Sequence, residues 1–361
     1  MSQHEGRHPA DPLRLSSVHI VNQASEATSE APGWVQQYTV MPLSGENPLQ
    51  TIAFPAMADG PRPKEGPGDI YPSSGPWRTP QTELLRSLAL EPATRRIERS
   101  VGVRGEGPAV AFNSTSLRAL IAANPEKAVA LLELYYPIYS ASFPDPDERL
   151  PYDTLLSLLK DPRFSINVDI LTSERGILGG YQTHVADVDG ELVSLGDYLC
   201  IDNQVKGMGI AQLVYRSTIA DRRERLGAIA HFGEVNDPIL MDAAQQAVDR
   251  KSGTDPEARL RFWEKQGRLM LDVPWVQPAT APGLVPVEYM MLTVHHLDQS
   301  RPLRITGETV QKVWDAYYLP LAEVAPVHET RREMERLLEP YRGREVPLLP
   351  LTTPRSFTGR V

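Results

Sequence analysis

Tyr198-Leu199-Cys200-Ile201-Asp202-Asn203-Gln204-Val205-Lys206-Gly207-Met208-Gly209-Ile210-Ala211 is the stretch whose reading decides the fold. An apolar, strand-like run ends at Asp202, a turn with two glycines follows, and a helix is predicted from Gly209 to about Arg225. Glycines without side chains expose successive backbone N–H groups, and the positive end of the helix dipole points at the same spot. Such a turn is a cradle for phosphate or pyrophosphate, to which Lys206 adds a full charge, or else simply the start of a helix after a glycine-rich turn. The single cysteine, Cys200, has no partner for an internal disulfide and sits in an apolar run, which assigns it a structural role.

Upstream, Asn124-Pro125-Glu126 is an N-cap followed by proline at the first helical position. Ala128, Leu131, Leu132, Tyr135, Tyr136 and Tyr139 then recur at helical spacing. A second helix is predicted from Pro151 to Leu159, stopped by Asp161-Pro162. Phe164 to Leu171, Ile177 to Val188 and Glu191 to Asp202 read as an antiparallel meander, turned at Ser173-Glu174-Arg175-Gly176 and Asp189-Gly190. Downstream come a strand over Ala228 to Val235, helical segments over Pro238 to Arg250 and Asp255 to Gln266, and strands over Leu269 to Val273 and Val287 to Val294. Helices are predicted at Thr309 to Tyr318 and Glu329 to Tyr341, followed by proline-rich coil from Arg342 to Val361. The expected class is α/β or α+β with mixed strand directions.

Gln204-Val205-Lys206-Gly207-Met208-Gly209 resembles the Gln/Arg-x-x-Gly-x-Gly/Ala signature of the GNAT acyl-CoA N-acyltransferases. The resemblance extends over about Asn124 to Val294 and includes the late element Arg261-Phe262-Trp263-Glu264-Lys265-Gln266-Gly267. It implies a mixed, mostly antiparallel sheet flanked by helices, whose fourth and fifth strands splay apart to admit the pantetheine arm of acetyl-CoA or another acyl-CoA. It also implies that the signature cradles the pyrophosphate, which makes Ile201, Val205, Lys206, Gly207, Met208, Gly209, Ile210 and Ala211 the expected acyl-CoA site, with no metal. Two departures stand out. Trp263 occupies the slot that often holds a tyrosine, the proton donor to the leaving thiolate, and Arg268 stands where an aromatic is expected. The insert from Asp237 to Thr254 displaces the asparagine that often binds pantetheine, leaving Asn236 as a substitute.

Amine acylation needs a neutral amine and hence a base or water chain. Glu234, which interrupts the apolar strand of His231-Phe232-Gly233-Glu234-Val235, is the first candidate, and Asp197 the second. Phe143, Tyr152, Tyr181 and Tyr289 are the candidate walls of the amine site. The resulting expectation is an N-acyltransferase acting on a small-molecule or peptide amine by direct attack. Its alternatives are an inactive acyl-CoA-binding module whose arms recruit a partner, and another acyl transfer on the same scaffold, such as acyl-homoserine lactone synthesis.

Composition sets the outer bounds. With 361 residues, 37 Lys and Arg against 46 Asp and Glu give a net charge of −9, which argues against nucleic acid and suits a cationic amine. No run of about 20 apolar residues is present, and Met1 to Ala10 lacks the apolar core of a signal peptide, so the expectation is a cytoplasmic protein with no membrane association. Neighbouring His295 and His296 point to opposite faces of a strand and share no metal. The 33 prolines concentrate toward the ends. Residues 1–80 are expected to form a proline-rich, disordered or partner-bound arm with one strand at Trp34 to Val40, and residues 81–123 a linker with a short helix over Thr82 to Ala93. The acyl-CoA domain is expected over 124–298 and a helical extension with a coil tail over 299–361, with a homo-oligomer allowed.

Overall fold

Asn124 ends one helix and begins another, its side chain capping the second. The computed structural model describes residues 15–24, 34–42, 50–55, 94–99 and 110–354 except 175. The chain divides into two units, Met1–Thr79 with Thr94–Ser114, and Pro80–Ala93 with Thr115–Val361. In the first, strands β1 (Leu15–Ala24), β2 (Trp34–Pro42), β3 (Gln50–Pro55) and β4 (Thr94–Arg99) are described by their backbone. β2 runs antiparallel to both β1 and β3, and β4 lies parallel to β1. The sequence predicts a single strand here. The others were missed because they exist by pairing with distant segments, which a local window does not see. The predicted helix over Thr82 to Ala93 and the proline-rich stretches around residues 60–80 lie outside the described residues.

In the second unit, Ser116 ends strand β5 (Val110–Ser116) and caps helix α1 (Leu117–Ala123), its side chain accepting from the Ala119 N–H. Asn124 then caps helix α2 (Pro125–Ser142), accepting from Lys127 N–H with proline at the first position, as the sequence predicts. Helix α3 (Tyr152–Lys160) follows a loop. Seven further strands of this unit then lie side by side: β6 (Asn167–Ser173), β7 (Gly176–Val188), β8 (Glu191–Ile201), β9 (Ala230–Asn236), β10 (Leu269–Leu271), β11 (Met290–His296) and β12 (Leu348–Leu349). Their order is β6-β7-β8-β9-β11-β10-β12, antiparallel throughout except for the parallel β8–β9 pair. Asp189 and Gly190 turn β7 into β8 with φ of 59° and 80°, the left-handed pair a tight hairpin requires.

Helices α4 (Ile210–Glu224), α5 (Ala243–Asp249), α6 (Pro256–Lys265), α7 (Gly307–Tyr318) and α8 (Val327–Leu338) complete the layers. The main core joins α1, α2, α3, α7 and α8 to one sheet face through Leu132, Tyr135, Ile170, Leu195, Phe232, Leu292 and Trp314. Tyr215 of α4 and Trp263 of α6 pack together on the opposite face. This is the mixed, mostly antiparallel, helix-flanked architecture the sequence implies. Several boundaries differ from the predicted ones, three of them for reasons visible in the pairing or capping. α5 starts at Ala243 because Asp242 and Gln245 form a reciprocal capping box. Val287 makes only a bridge to Gln277, and the strand begins at Met290. The tail predicted as coil supplies β12, which pairs with β10. Among the described residues no helix is long and apolar enough to cross a membrane.

Candidate active site

β8 and β9 pair only from Val193↔Ala230 to Gly196↔Gly233. Beyond those glycines β8 stays with β7 and β9 stays with β11, so the edges from Asp197 to Ile201 and from Glu234 to Asn236 part. A bulge makes the departure sharper: the β7–β8 register jumps from Thr183↔Gly196 to Tyr181↔Leu199, so Asp197 and Tyr198 together oppose Gln182. The extra residue lets Asp197 reach Gln182 and His184 while Tyr198 meets Phe143 edge to face, ring centroids 4.9 Å apart.

At the open end of β8 lies the glycine turn. Asp202 N–H donates to Leu178 O, and the Asp202 carboxylate accepts from Gln204 N–H, which fixes the start of the turn. Gly207 and Gly209 have φ of 81° and 77°, and a Cβ at Gly207 would meet nothing within 4 Å. Gly209 is the N-cap of α4 and no side chain caps that end, so the first-turn N–H groups keep their capacity for a ligand. Ile201, Val205 and Ile210 are buried anchors, while Met208 and Ala211 are partly exposed. Lys206 is not the free cation expected from the sequence. Its Nζ donates to Ser252 O at 2.5 Å and Thr254 Oγ1 at 2.9 Å, tying the turn to the end of the insert. Burial lowers its pKa.

Glu234 lies on the β9 edge just past the last paired residue. Its Oε1 accepts from Trp275 Nε1–H at 2.5 Å and from the Tyr318 hydroxyl. Burial lifts its pKa from the usual 4.5 to about 7, against the two hydrogen bonds that favour the anion, and the nearby Asp197 adds to the rise. Asp197 is committed elsewhere: Oδ2 accepts from Gln182 Nε2 at 2.9 Å and faces His184 Nδ1 at 3.3 Å, while Oδ1 is buried without a partner.

A third carboxyl, Glu148, was missed in the sequence. Its Oε1 accepts from Tyr289 Oη at 2.8 Å and Asn236 Nδ2 at 2.9 Å, and Tyr198 Oη donates to its backbone carbonyl at 2.9 Å. Burial raises its pKa to about 7, with Asp249 and Asp145 adding to the effect. The only local signal was the acidic turn Asp145-Pro146-Asp147-Glu148; its partners come from 50 to 141 residues away. Tyr318 and Trp275 were missed as well, because both lay outside the motifs.

The four aromatic candidates separate. Tyr289 reaches Glu148 and Asp145 at the parting of the strands, and Phe143 packs on Tyr198 beside it. Tyr152 lies farther off, its ring against Tyr136 and its hydroxyl buried without a partner. Tyr181 is buried on the α4 side behind Gly196, its hydroxyl 2.7 Å from His231 Nε2. Asn236 stands at the end of β9 holding Glu148 rather than facing an open channel. Trp263 packs on Tyr215 and under the Arg268 guanidinium, which lies 4.5 Å from its ring centroid. Cys200 is buried against Tyr135, and its thiol pKa is pushed up to about 12, in keeping with a structural role. No group of three or more His, Cys, Asp or Glu among the described residues is placed to hold a metal ion.

No family model matches this chain. No curated protein matches it either. Solved structures do. It is similar to an acetyltransferase from Thermus thermophilus, with 14% identity over 52% of this chain and 97% of that one and a TM-score of 0.31. It is similar to the PaiA N-acetyltransferase of Thermoplasma acidophilum in complex with coenzyme A, with 9% identity over 46% and 94% and a TM-score of 0.31. A GNAT family acetyltransferase from Elizabethkingia anophelis with acetyl-CoA bound gives 15% identity over 41% and 92% and a TM-score of 0.26.

Proposed function

We propose that this chain is an acyl-CoA-dependent N-acyltransferase that moves an acetyl or longer acyl group to a small-molecule or peptide amine by direct attack. One observation carries the reading. The central parallel strands part at Gly196 and Gly233 beside an uncapped helix N-terminus with two left-handed glycines, and a raised-pKa carboxyl stands on the edge of the gap. Residues Val205 to Ala211 would hold the pyrophosphate through backbone N–H groups, with Lys206 positioning the turn. The unpaired β8 edge near Ile201 would polarise the thioester carbonyl. Glu234 would take the ammonium proton, directly or through water, with Glu148 and Asp145 favouring a cationic acceptor.

Once Glu234 has passed that first proton to solvent, the amine nitrogen bonds to the thioester carbon, the second nitrogen proton passes to the carboxylate, and the carbon–sulfur bond breaks with its electron pair on sulfur. A non-catalytic acyl-CoA-binding module is the second reading, favoured by Trp263, whose indole N–H is too weakly acidic to protonate the leaving thiolate. Coenzyme A release from acetyl-CoA across an amine panel separates the two. Turnover with any amine supports the enzyme. Binding measured by calorimetry with no turnover leaves the module, and absence of binding overturns both.

A further inference from the structure

The floor of the gap is polar. At the last paired position, a Cβ on Gly196 would collide with the Tyr181 hydroxyl and His231, and a Cβ on Gly233 would collide with the Arg268 guanidinium. Both residues are glycine because side chains from the α4 side occupy those places. Arg268 is 2% exposed. Its Nε donates to Tyr215 Oη at 3.0 Å and its Nη1 to Thr293 Oγ1 at 2.8 Å, and it lies over the rings of Tyr215 and Trp263. Among the described residues no carboxylate makes an ion pair with it.

Burying a charge without a counter-ion is costly, and the aromatic faces offset only part of that cost. The stack explains how the cation is tolerated but not why a cation stands there. The groups that face this layer are Tyr181 from β7, His231 from β9, Tyr215 and Arg222 from α4, His295 from β11 and Tyr317 from α7, with His184 of β7 and the carboxylates Asp197 of β8 and Glu234 of β9 acting on it from the other side of the strands. Asp197 Oδ2 is engaged by Gln182 and His184, and Glu234 by Trp275 and Tyr318. None of the groups that touch the Arg268 guanidinium carries negative charge near neutral pH: they are Tyr215, Thr293 and Trp263, and burial raises Tyr215.

We propose that Arg268 is the buried cation that stabilises the leaving thiolate of coenzyme A, in place of a proton donor at Trp263. The inference rests on the acyltransferase reading. An acyl-CoA arm that starts at the α4 turn and enters between β8 and β9 brings its sulfur to the end of the gap that Gly196 and Gly233 close. Starting from the neutral amine, when the carbon–sulfur bond breaks the electron pair goes to sulfur and the proton shed by the new amide nitrogen stays on the carboxylate base, so the products are amide, thiolate and protonated base. A fixed cation beside the gap makes that anion a better leaving group without a proton transfer.

The test is a titration of the coenzyme A thiol, read by thiolate absorbance, free and bound to the full chain, with the desulfo-coenzyme complex subtracted. A free cysteine-like thiol titrates near 8.5. The bound thiol should titrate at least about one unit lower than free coenzyme A, about tenfold more thiolate at a pH below both values. Arg268→Met should restore the free value and Arg268→Lys should keep part of the shift. A bound thiol that titrates like the free one, or equally shifted in folded Arg268→Met, overturns the inference. Should Arg268→Met fail to fold, the wild type and Arg268→Lys decide it, with equal values in bound and free forms overturning it. Failure of the wild type to bind coenzyme A at all overturns the acyltransferase reading itself, a distinguishable result.

Discussion

Glu234 and Glu148 lie within one site, and burial lifts both to a pKa of about 7, so their roles must be separated by what each touches. Glu234 is held by Trp275 and Tyr318 through one oxygen, on the strand edge that borders the gap. Glu148 is held by Tyr289 and Asn236, and its backbone carbonyl by Tyr198, which suits a residue that shapes the acceptor side. Glu234→Gln should lower acyl transfer by about a hundredfold near neutral pH, the usual scale for one general base, and leave coenzyme A affinity nearly unchanged. A base protonated below about 7 also makes wild-type turnover rise with pH through that value and then level off. The Gln variant should lose that limb and recover at high pH, where the amine deprotonates unaided. Glu148→Gln should keep the limb and raise the KM for the amine. If the limb disappears in Glu148→Gln instead, Glu148 is the base. Glu234 was legible because a carboxylate in an apolar strand is conspicuous. Glu148 was not, because its site is assembled from strands far along the chain. Trp263 and Arg268 were legible as departures from a pattern, but their joint stack emerged only when α6 and β10 were folded together.

At the scale of elements, local signals served where local physics decides. Caps and prolines marked α2, and Asp189-Gly190 marked the β7–β8 hairpin. β12, β1 and β3 were not legible, because pairing with remote segments defines them. The turn before α4 belongs to the legible group, and its glycines make separable predictions. Gly207 has open space where a side chain would go, so Gly207→Ala tests backbone strain alone. A non-glycine residue held in the left-handed region costs about 1–2 kcal/mol, so the variant should be folded, slightly destabilised and weaker for coenzyme A by about tenfold. Gly209→Val places a β-branched residue at the N-cap and should abolish binding measurable by calorimetry. Unchanged affinity in folded Gly209→Val would remove the turn from the site. Gly233→Ala is different in kind, since its Cβ would overlap the Arg268 guanidinium. Its denaturation midpoint should show a loss of about 1–3 kcal/mol, the range for overpacking.

At the scale of the whole molecule, buried titratable groups on opposite sides of the sheet act on stability with opposite signs. Glu148 and Glu234 are raised from 4.5 to about 7, so over that window the folded chain holds protons that the unfolded chain has lost. They make stability fall as pH rises from about 4.5 to 7 and contribute no further slope above it. His295 is lowered from 6.5 to about 4, and His231 is driven well below 6.5 by burial and the Arg268 charge. There the unfolded chain holds the protons, so stability rises with pH up to about 6.5. Two groups of each sign leave the wild type nearly level between about pH 4.5 and 6.5, with a decline confined to the interval up to 7. The acids Asp161, Glu191, Asp298, Glu308 and Glu323, each partly or fully exposed, are all lowered and act below that window. The double variant Glu148→Gln/Glu234→Gln removes the falling component and leaves the histidines. Its unfolding free energy, from urea melts at a series of pH values, should therefore rise with pH between about 4.5 and 6.5. Each histidine contributes at most about 1.4 kcal/mol per pH unit to that slope. A double variant as level as the wild type would show that the two carboxyls are ionised in the folded chain at acid pH. The charge balance of the site, and with it Glu234 as a base poised near neutrality, would then fail together.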